Sequence, residues 1–156
     1  MATPDFILAL CEKVGHQLLW LCGVTAVVTR GDDVLMVRRA DTGAWTPVCG
    51  IVDPGEEPAD AAVRETLEEA DVVAEPTRLA LVHVTEPITY PNGDRTQYVD
   101  VVFGLRWISG DPWPADGENT EARWFPRGGL PPLDQDMERR VAAALSGEEA
   151  AWFGRR

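Results

Sequence analysis

The stretch Gly50-Ile51-Val52-Asp53-Pro54-Gly55-Glu56-Glu57-Pro58 runs directly into Ala59-Asp60-Ala61-Ala62-Val63-Arg64-Glu65-Thr66-Leu67-Glu68-Glu69-Ala70-Asp71-Val72. Asp53-Pro54-Gly55 punctuates a loop. Pro58 suits a first helical turn, where its missing N–H has no intrahelical partner to lose. Ala59 to Ala70 is rich in helix formers, and the spacing predicts Val63, Leu67 and Ala70 as one buried stripe. Glu65, Glu68 and Glu69, three and four residues apart, then share the opposite face.

Strand patterns flank this loop and helix. Upstream, Val24 to Thr29 and Val34 to Arg38 are apolar or β-branched and are joined by Arg30-Gly31-Asp32-Asp33, which predicts a hairpin. Trp45 to Cys49 reads as a short third strand. Downstream, Thr77 to Thr89 and Gln97 to Ile108 have strand composition, and Asn92-Gly93 between them favours a tight turn. A polar loop from Ser109 to Asn119 leads to a short strand at Ala122 to Phe125 and a closing helix at Asp134 to Leu145. Phe6, Ile7, Leu10 and Val14 recur at helical intervals, so a helix is also expected over Pro4 to Val14. The expected class is α/β: one domain over residues 1–156, a mixed sheet between helices, with 1–17 as an N-terminal helical segment and 147–156 as a C-terminal tail.

Composition narrows the function. The 156 residues carry 14 Lys and Arg against 26 Asp and Glu, a net charge of −12. Polyanions are gripped by clustered Lys and Arg, so a nucleic-acid polymer is not the expected partner. No apolar run reaches the roughly 20 residues that span a bilayer, and no basic leader precedes the first apolar stretch, so a cytoplasmic protein without a membrane partner is expected. Cys11, Cys22 and Cys49 are odd in number and outside any CxxC, which predicts buried reduced thiols rather than disulfides or zinc.

Three glutamates on one helix face have two readings. In an acidic protein they can be a solvated face. They can equally supply the oxygen ligands that a hard cation such as Mg²⁺ or Mn²⁺ requires while it bridges to substrate phosphate.

The order of residues favours the second reading. Gly50, Glu56, Arg64, Glu65, Glu68, Glu69 and Val72 fit the pattern G-x5-E-x7-R-E-U-x-E-E-x-G-U, where U is a bulky aliphatic, and in this the chain resembles the Nudix (MutT-like) hydrolases. Two positions depart: Thr66 stands for the aliphatic and Asp71 for the final glycine. Asp71 is expected just past the helix in the left-handed conformation, which Asp adopts at a cost of about 1 kcal/mol. The resemblance covers most of Gly23 to Leu145. It implies an α/β/α sandwich and a Mg²⁺- or Mn²⁺-dependent pyrophosphohydrolase acting on a (d)NTP or an ADP-ribose-like nucleotide sugar. It also implies that Glu65, Glu68 and Glu69 hold metal with the Gly50 carbonyl, and that Glu56 and Arg64 organise the loop and helix. Members draw the general base from the helix or from a later loop, so Glu65, Glu68 and Arg64 on one side and Glu118 and Glu121 on the other are the catalytic candidates. A homodimer follows from family habit.

Substrate contacts are less constrained. Arg38 and Arg39 end a strand near Gly50 and can meet phosphates with forked donors. Trp45, Trp107 and Trp124 read as core, whereas Trp113, in a polar Pro-flanked loop, is a candidate platform for a base. His83 lies in an apolar strand and reads as structural. Pro87 and Tyr90 sit near positions used by two different Nudix branches and point in conflicting directions. Two further readings stand beside the hydrolase: a catalytically silent nucleotide-sensing module on the same fold, and an isoprenyl diphosphate isomerase, for which Cys49 would have to be reactive.

Overall fold

The computed structural model describes residues 3–154. Three helices, α1 (Asp5–Val14), α2 (Pro58–Ala70) and α3 (Gln135–Leu145), accompany nine strands. These are β1 (Leu18–Arg30), β2 (Asp33–Arg39), β3 (Trp45–Thr46), β4 (Val48–Ile51), β5 (Val73–Val84), β6 (Ile88–Thr89), β7 (Arg95–Ser109), β8 (Asn119–Pro126) and β9 (Trp152–Phe153).

All the strands join one mixed sheet whose main path is β3-β2-β1-β7-β5-β9. The long strand β1 is central. It runs parallel to β7 from Leu18 opposite Arg95 to Thr29 opposite Arg106, and on its other edge it pairs antiparallel with β4 and then with the hairpin end of β2. β8 extends the sheet against β2, and β6 against β7.

The run Val24 to Val28, apolar apart from Thr25, is buried on both faces because both faces are covered. Val24, Ala26, Val28, Leu35 and Val37 pack with Ala61, Ala62 and Ala70 of α2. Val27, Val34 and Met36 alternate onto the other face and pack with Val141 and Ala143 of α3. Period-two alternation thus splits one sheet into two cores, and the α/β/α sandwich expected from sequence is present.

Four details differ from the sequence expectations. The third strand is two: β3 pairs with β2 and β4 with β1, and Pro47 between them has no amide for a ladder. The strand expected at Ala122 to Phe125 begins three residues earlier. The three cysteines are free but half-buried rather than in the core. Most consequentially, α2 turns Leu67 of the expected stripe outward, while Ala70 is buried and Val63 packs against the core. Leu67 is 47% exposed, whereas Glu65, Thr66 and Glu69 are buried with Ala61, Ala62 and Ala70. Glu65 and Glu69 thus point into the protein, while Glu68 stays exposed.

Thr66 fits its buried site because its hydroxyl donates to the Ala62 carbonyl at 2.7 Å. Asp71 caps the helix with φ 54, the sole non-glycine residue of positive φ among those described. The C-terminal tail returns to this same domain, where Trp152 and Phe153 pair parallel with Leu81 and Val82 at the sheet edge. No helix among the described residues is long and apolar enough to cross a membrane.

Candidate active site

Burying Glu65 and Glu69 on one helix needs room and counter-charge. Gly50 on β4 gives the room: a Cβ there would land inside the carboxyl group of Glu65, so only glycine lets the strand and α2 approach this closely. Arg64 gives the charge. It donates Nε and Nη2 to the two oxygens of Glu56, both at 2.9 Å, Nη2 to the Ile51 carbonyl at 3.1 Å, and Nη1 to Glu65 at 2.9 Å and Glu68 at 3.1 Å. Glu56 also accepts the Asp53 amide at 3.1 Å, so one fork ties the loop after β4 to the helix. The forked guanidinium holds the Glu56 carboxyl below its usual range.

Glu65 and Glu69 are less well compensated. Burial pushes both carboxyls up to about 7, although Arg64 opposes the rise at Glu65 and a bond from Asn119 opposes it at Glu69. The Asn119 amide donates to Glu69 Oε2 at 3.0 Å. Two desolvated carboxyls with too little positive charge around them fit a hard divalent cation by both charge and donor type. Among the described residues no three acidic, His or Cys side chains already converge closely enough to hold an ion. The reason is visible: Arg64 Nη1 takes one oxygen from each of Glu65 and Glu68, and Glu69 is turned to Asn119.

A cleft of about 650 Å³ opens over this face, lined by Ile51, Asp53, Arg64, Glu65 and Glu68 on one side and by the segment Ala115 to Glu118 on the other, with Pro4 at its rim. The facing segment is fastened to the end of α2, because Trp113 donates its amide to Ala70 at 2.9 Å and Ala115 its amide to Glu69 at 3.3 Å.

The other candidates separate. Glu118 lines the cleft, and its amide donates to Asp116 Oδ1 at 2.9 Å. Glu121 is not in a loop. It lies on β8, where it pairs with Arg38 across the ladder at 3.0 Å and with Arg123. Arg38 is therefore engaged with Glu121 and the Gly43 carbonyl, while Arg39, bidentate on Asp41, is the arginine of the pair that interacts with the Glu69 charge. Trp113 is 65% exposed and is not among the cleft-lining residues.

The aromatic and histidine readings as structure hold: Trp45 packs edge-on against Phe125, Trp107 and Trp124 flank the Arg30 guanidinium, and His83 is buried between Asp100 and Asp136. Sequence reasoning passed over Asp116 and Asn119. The stretch Asp116-Gly117-Glu118-Asn119 reads as an ordinary turn, and nothing in it signals that the chain brings it back to α2.

A family model described as the NUDIX domain matches residues 21–145. The chain belongs to the Nudix family. Among its relatives it is 34% identical over 139 residues to the NAD-capped RNA hydrolase NudC of Pseudomonas aeruginosa, covering 86% of this chain and 46% of that protein. The chain thus spans about half the length of the curated relatives it matches first. Among solved structures it resembles a Nudix hydrolase from Nitrosomonas europaea (TM-score 0.68, 24% identity, covering 86% of this chain and 77% of that one). It also resembles a MutT Nudix hydrolase from Burkholderia pseudomallei (TM-score 0.66, 25% identity, 80% and 98%). Within this Nudix chain the motif residues Gly50, Glu56, Arg64, Glu65 and Glu68 form the connected group described above, and Glu69 stands beside it, bonded to Asn119.

Proposed function

We propose that this Nudix chain is a Mg²⁺- or Mn²⁺-dependent pyrophosphohydrolase that cleaves the phosphoanhydride of a nucleoside diphosphate derivative. The observation that carries the reading is the pair of buried α2 carboxyls, Glu65 and Glu69, pushed up to about 7, with Glu65 lining a cleft beside the exposed Glu68. Burying such groups is costly unless a cation is to be held, so a purely structural role leaves the arrangement without a purpose. Glu65, Glu68 and Glu69, with the Gly50 carbonyl, would hold the metal. When bound, the metal supplies charge neutralisation at the diphosphate and a lowered pKa for water.

The rest falls to the chain itself. Arg64 and Glu56 keep the loop and helix in register. Arg39, which interacts with the Glu69 charge, would release its fork from Asp41 to meet a substrate phosphate. Water attacks one phosphorus, its proton passes to Glu118, and the bond from that phosphorus to the bridging oxygen breaks, releasing two phosphate-bearing products. Glu118 is favoured over Glu121 because Glu118 lines the cleft and Glu121 does not.

The substrate is small. NudC is named for NAD-capped RNA; what carries over is a pyrophosphate joined to a nucleoside, since a net charge of −12 repels a polynucleotide tail. Cysteine chemistry finds no support, because desolvation around Cys49 pushes its thiol up to about 12.

The test is Glu69→Gln, assayed with Mn²⁺ across dNTPs, ADP-ribose, nucleotide sugars and dinucleoside polyphosphates. Phosphate-bearing products fall by several orders of magnitude. Wild-type levels of product from the variant overturn the assignment of Glu69. Ligand-induced thermal stabilisation of the wild type without any product favours the sensing module instead.

A further inference from the structure

The ladder between β2 and β8 slips by one residue close to the carboxylates. Val37 pairs with Ala122 and Arg38 with Glu121, so regular pairing sets Arg39 opposite Thr120; instead Arg39 pairs with Asn119. Thr120 is the extra residue of a β-bulge. Its hydroxyl donates to the Arg38 carbonyl at 3.3 Å, and beyond the slip Ala40 donates its amide to Glu118 at 2.8 Å, so the strands stay joined.

A bulge reverses which side chains face inward. Ala122 is buried in the core under α2, and strict alternation sends Thr120 to the same side and Asn119 to the other. The outcome is the opposite. Thr120 is exposed, while Asn119 is only 6% exposed and donates to Glu69 Oε2 at 3.0 Å. Three backbone attachments fix the segment that delivers it: Trp113 to Ala70, Ala115 to Glu69, and the Ala40–Glu118 bond.

From the bulge and this bond we infer that Asn119 is the positioning residue for Glu69. Its amide occupies Oε2 and fixes the carboxylate plane, leaving Oε1 for a divalent cation. The inference rests on reading Glu69 as a metal-holding carboxylate, and it concerns the orientation of that group, not the chemistry on the substrate. A side chain that orients a ligand typically changes metal affinity by about 10- to 100-fold when it is lost.

A double-mutant cycle tests it, with Mn²⁺ dissociation constant, Tm and steady-state kinetics as readouts on Asn119→Ala, Glu69→Gln and the pair. Asn119→Leu, which keeps volume, accompanies Asn119→Ala in case the smaller side chain loosens the fold. Both Asn119 variants are expected to weaken Mn²⁺ binding about tenfold or more and to lower kcat with KM within about twofold, and to change neither once Glu69 is Gln. Additive losses in the cycle, or wild-type Mn²⁺ affinity in both single variants, overturn the inference. A wild-type chain that binds Mn²⁺ yet hydrolyses nothing refutes the hydrolase reading alone, and the cycle in Mn²⁺ affinity still judges Asn119. A wild-type chain that takes up no Mn²⁺ overturns both.

Discussion

Removing metal should make this protein less stable as pH rises from 5.5 to 7.5, opposite to ordinary acid denaturation. Glu65 and Glu69 keep their protons to about 7 when folded, against an ordinary 4.5, chiefly because burial disfavours the anion. The folded state therefore binds more protons than the unfolded one across that interval, and stability falls with pH. The contribution is fully present below about 4.5 and is lost as pH climbs through 7. Both groups are nearly inaccessible, at 1% and 5% exposure, so solvent screening does not erase it. Between pH 5.5 and 7.5 each carboxyl accounts for roughly 2 kcal/mol, and the pair for roughly 2 to 4 because their charges interact. In a domain of this size that is a fall in Tm on the order of 5 to 15 °C. The assay is urea or thermal unfolding in EDTA across this range, repeated with saturating Mn²⁺. Metal requires deprotonated ligands, so Mn²⁺ should stabilise most at the alkaline end and flatten or invert the trend. The Glu65→Gln/Glu69→Gln double variant removes the dependence. An EDTA-treated wild type whose stability is flat or rises over the interval, or a double variant with an unchanged slope, refutes the reasoning.

Gly50→Ala places a methyl group where the Glu65 carboxyl now lies and forces that nearly buried side chain from its place beside β4. We expect about 1 to 3 kcal/mol lost in chemical denaturation, together with weaker Mn²⁺ binding. Asp71→Gly relieves a left-handed residue at φ 54 and should raise stability by about 1 kcal/mol without altering turnover, read from the denaturation midpoint and kcat. Arg39→Ala should raise KM for a diphosphate substrate about tenfold or more, whereas Arg38→Ala, which breaks a pair with Glu121, should leave KM within about twofold. Equal effects of the two arginine variants on KM would remove the phosphate role from Arg39.

Much of the architecture was legible because local signals and tertiary context agree. Pro58 does open α2, Asp71 does close it in the left-handed conformation, and Gly93 does take positive φ in the hairpin between β6 and β7. Failure came where a functional demand overrode hydrophobic patterning. Apolar spacing put Leu67 inward, yet the glycine at 50 and the fork of Arg64 make it possible to bury Glu65 and Glu69 instead. Cation-binding chemistry is legible as a set of carboxylates, but not as a direction. Asn119 was hidden for a related reason: strand reading assumes unbroken alternation, and one extra residue at Thr120 inverts it. Arg38 and Glu121 each looked available along the chain. Their mutual contact spans 83 residues and becomes visible only when β2 and β8 are neighbours.

The amides of Trp113 and Ala115 grip the closing turn of α2. The two banks of the cleft therefore travel together, and the gap between the acidic helix and the Asp116–Glu118 bank is set by main-chain geometry. Exchanging the side chains at 116–118, just beyond the Ala115 anchor, would alter that bank without widening the gap. Diversification of this scaffold is then a matter of repainting one bank rather than rebuilding the channel.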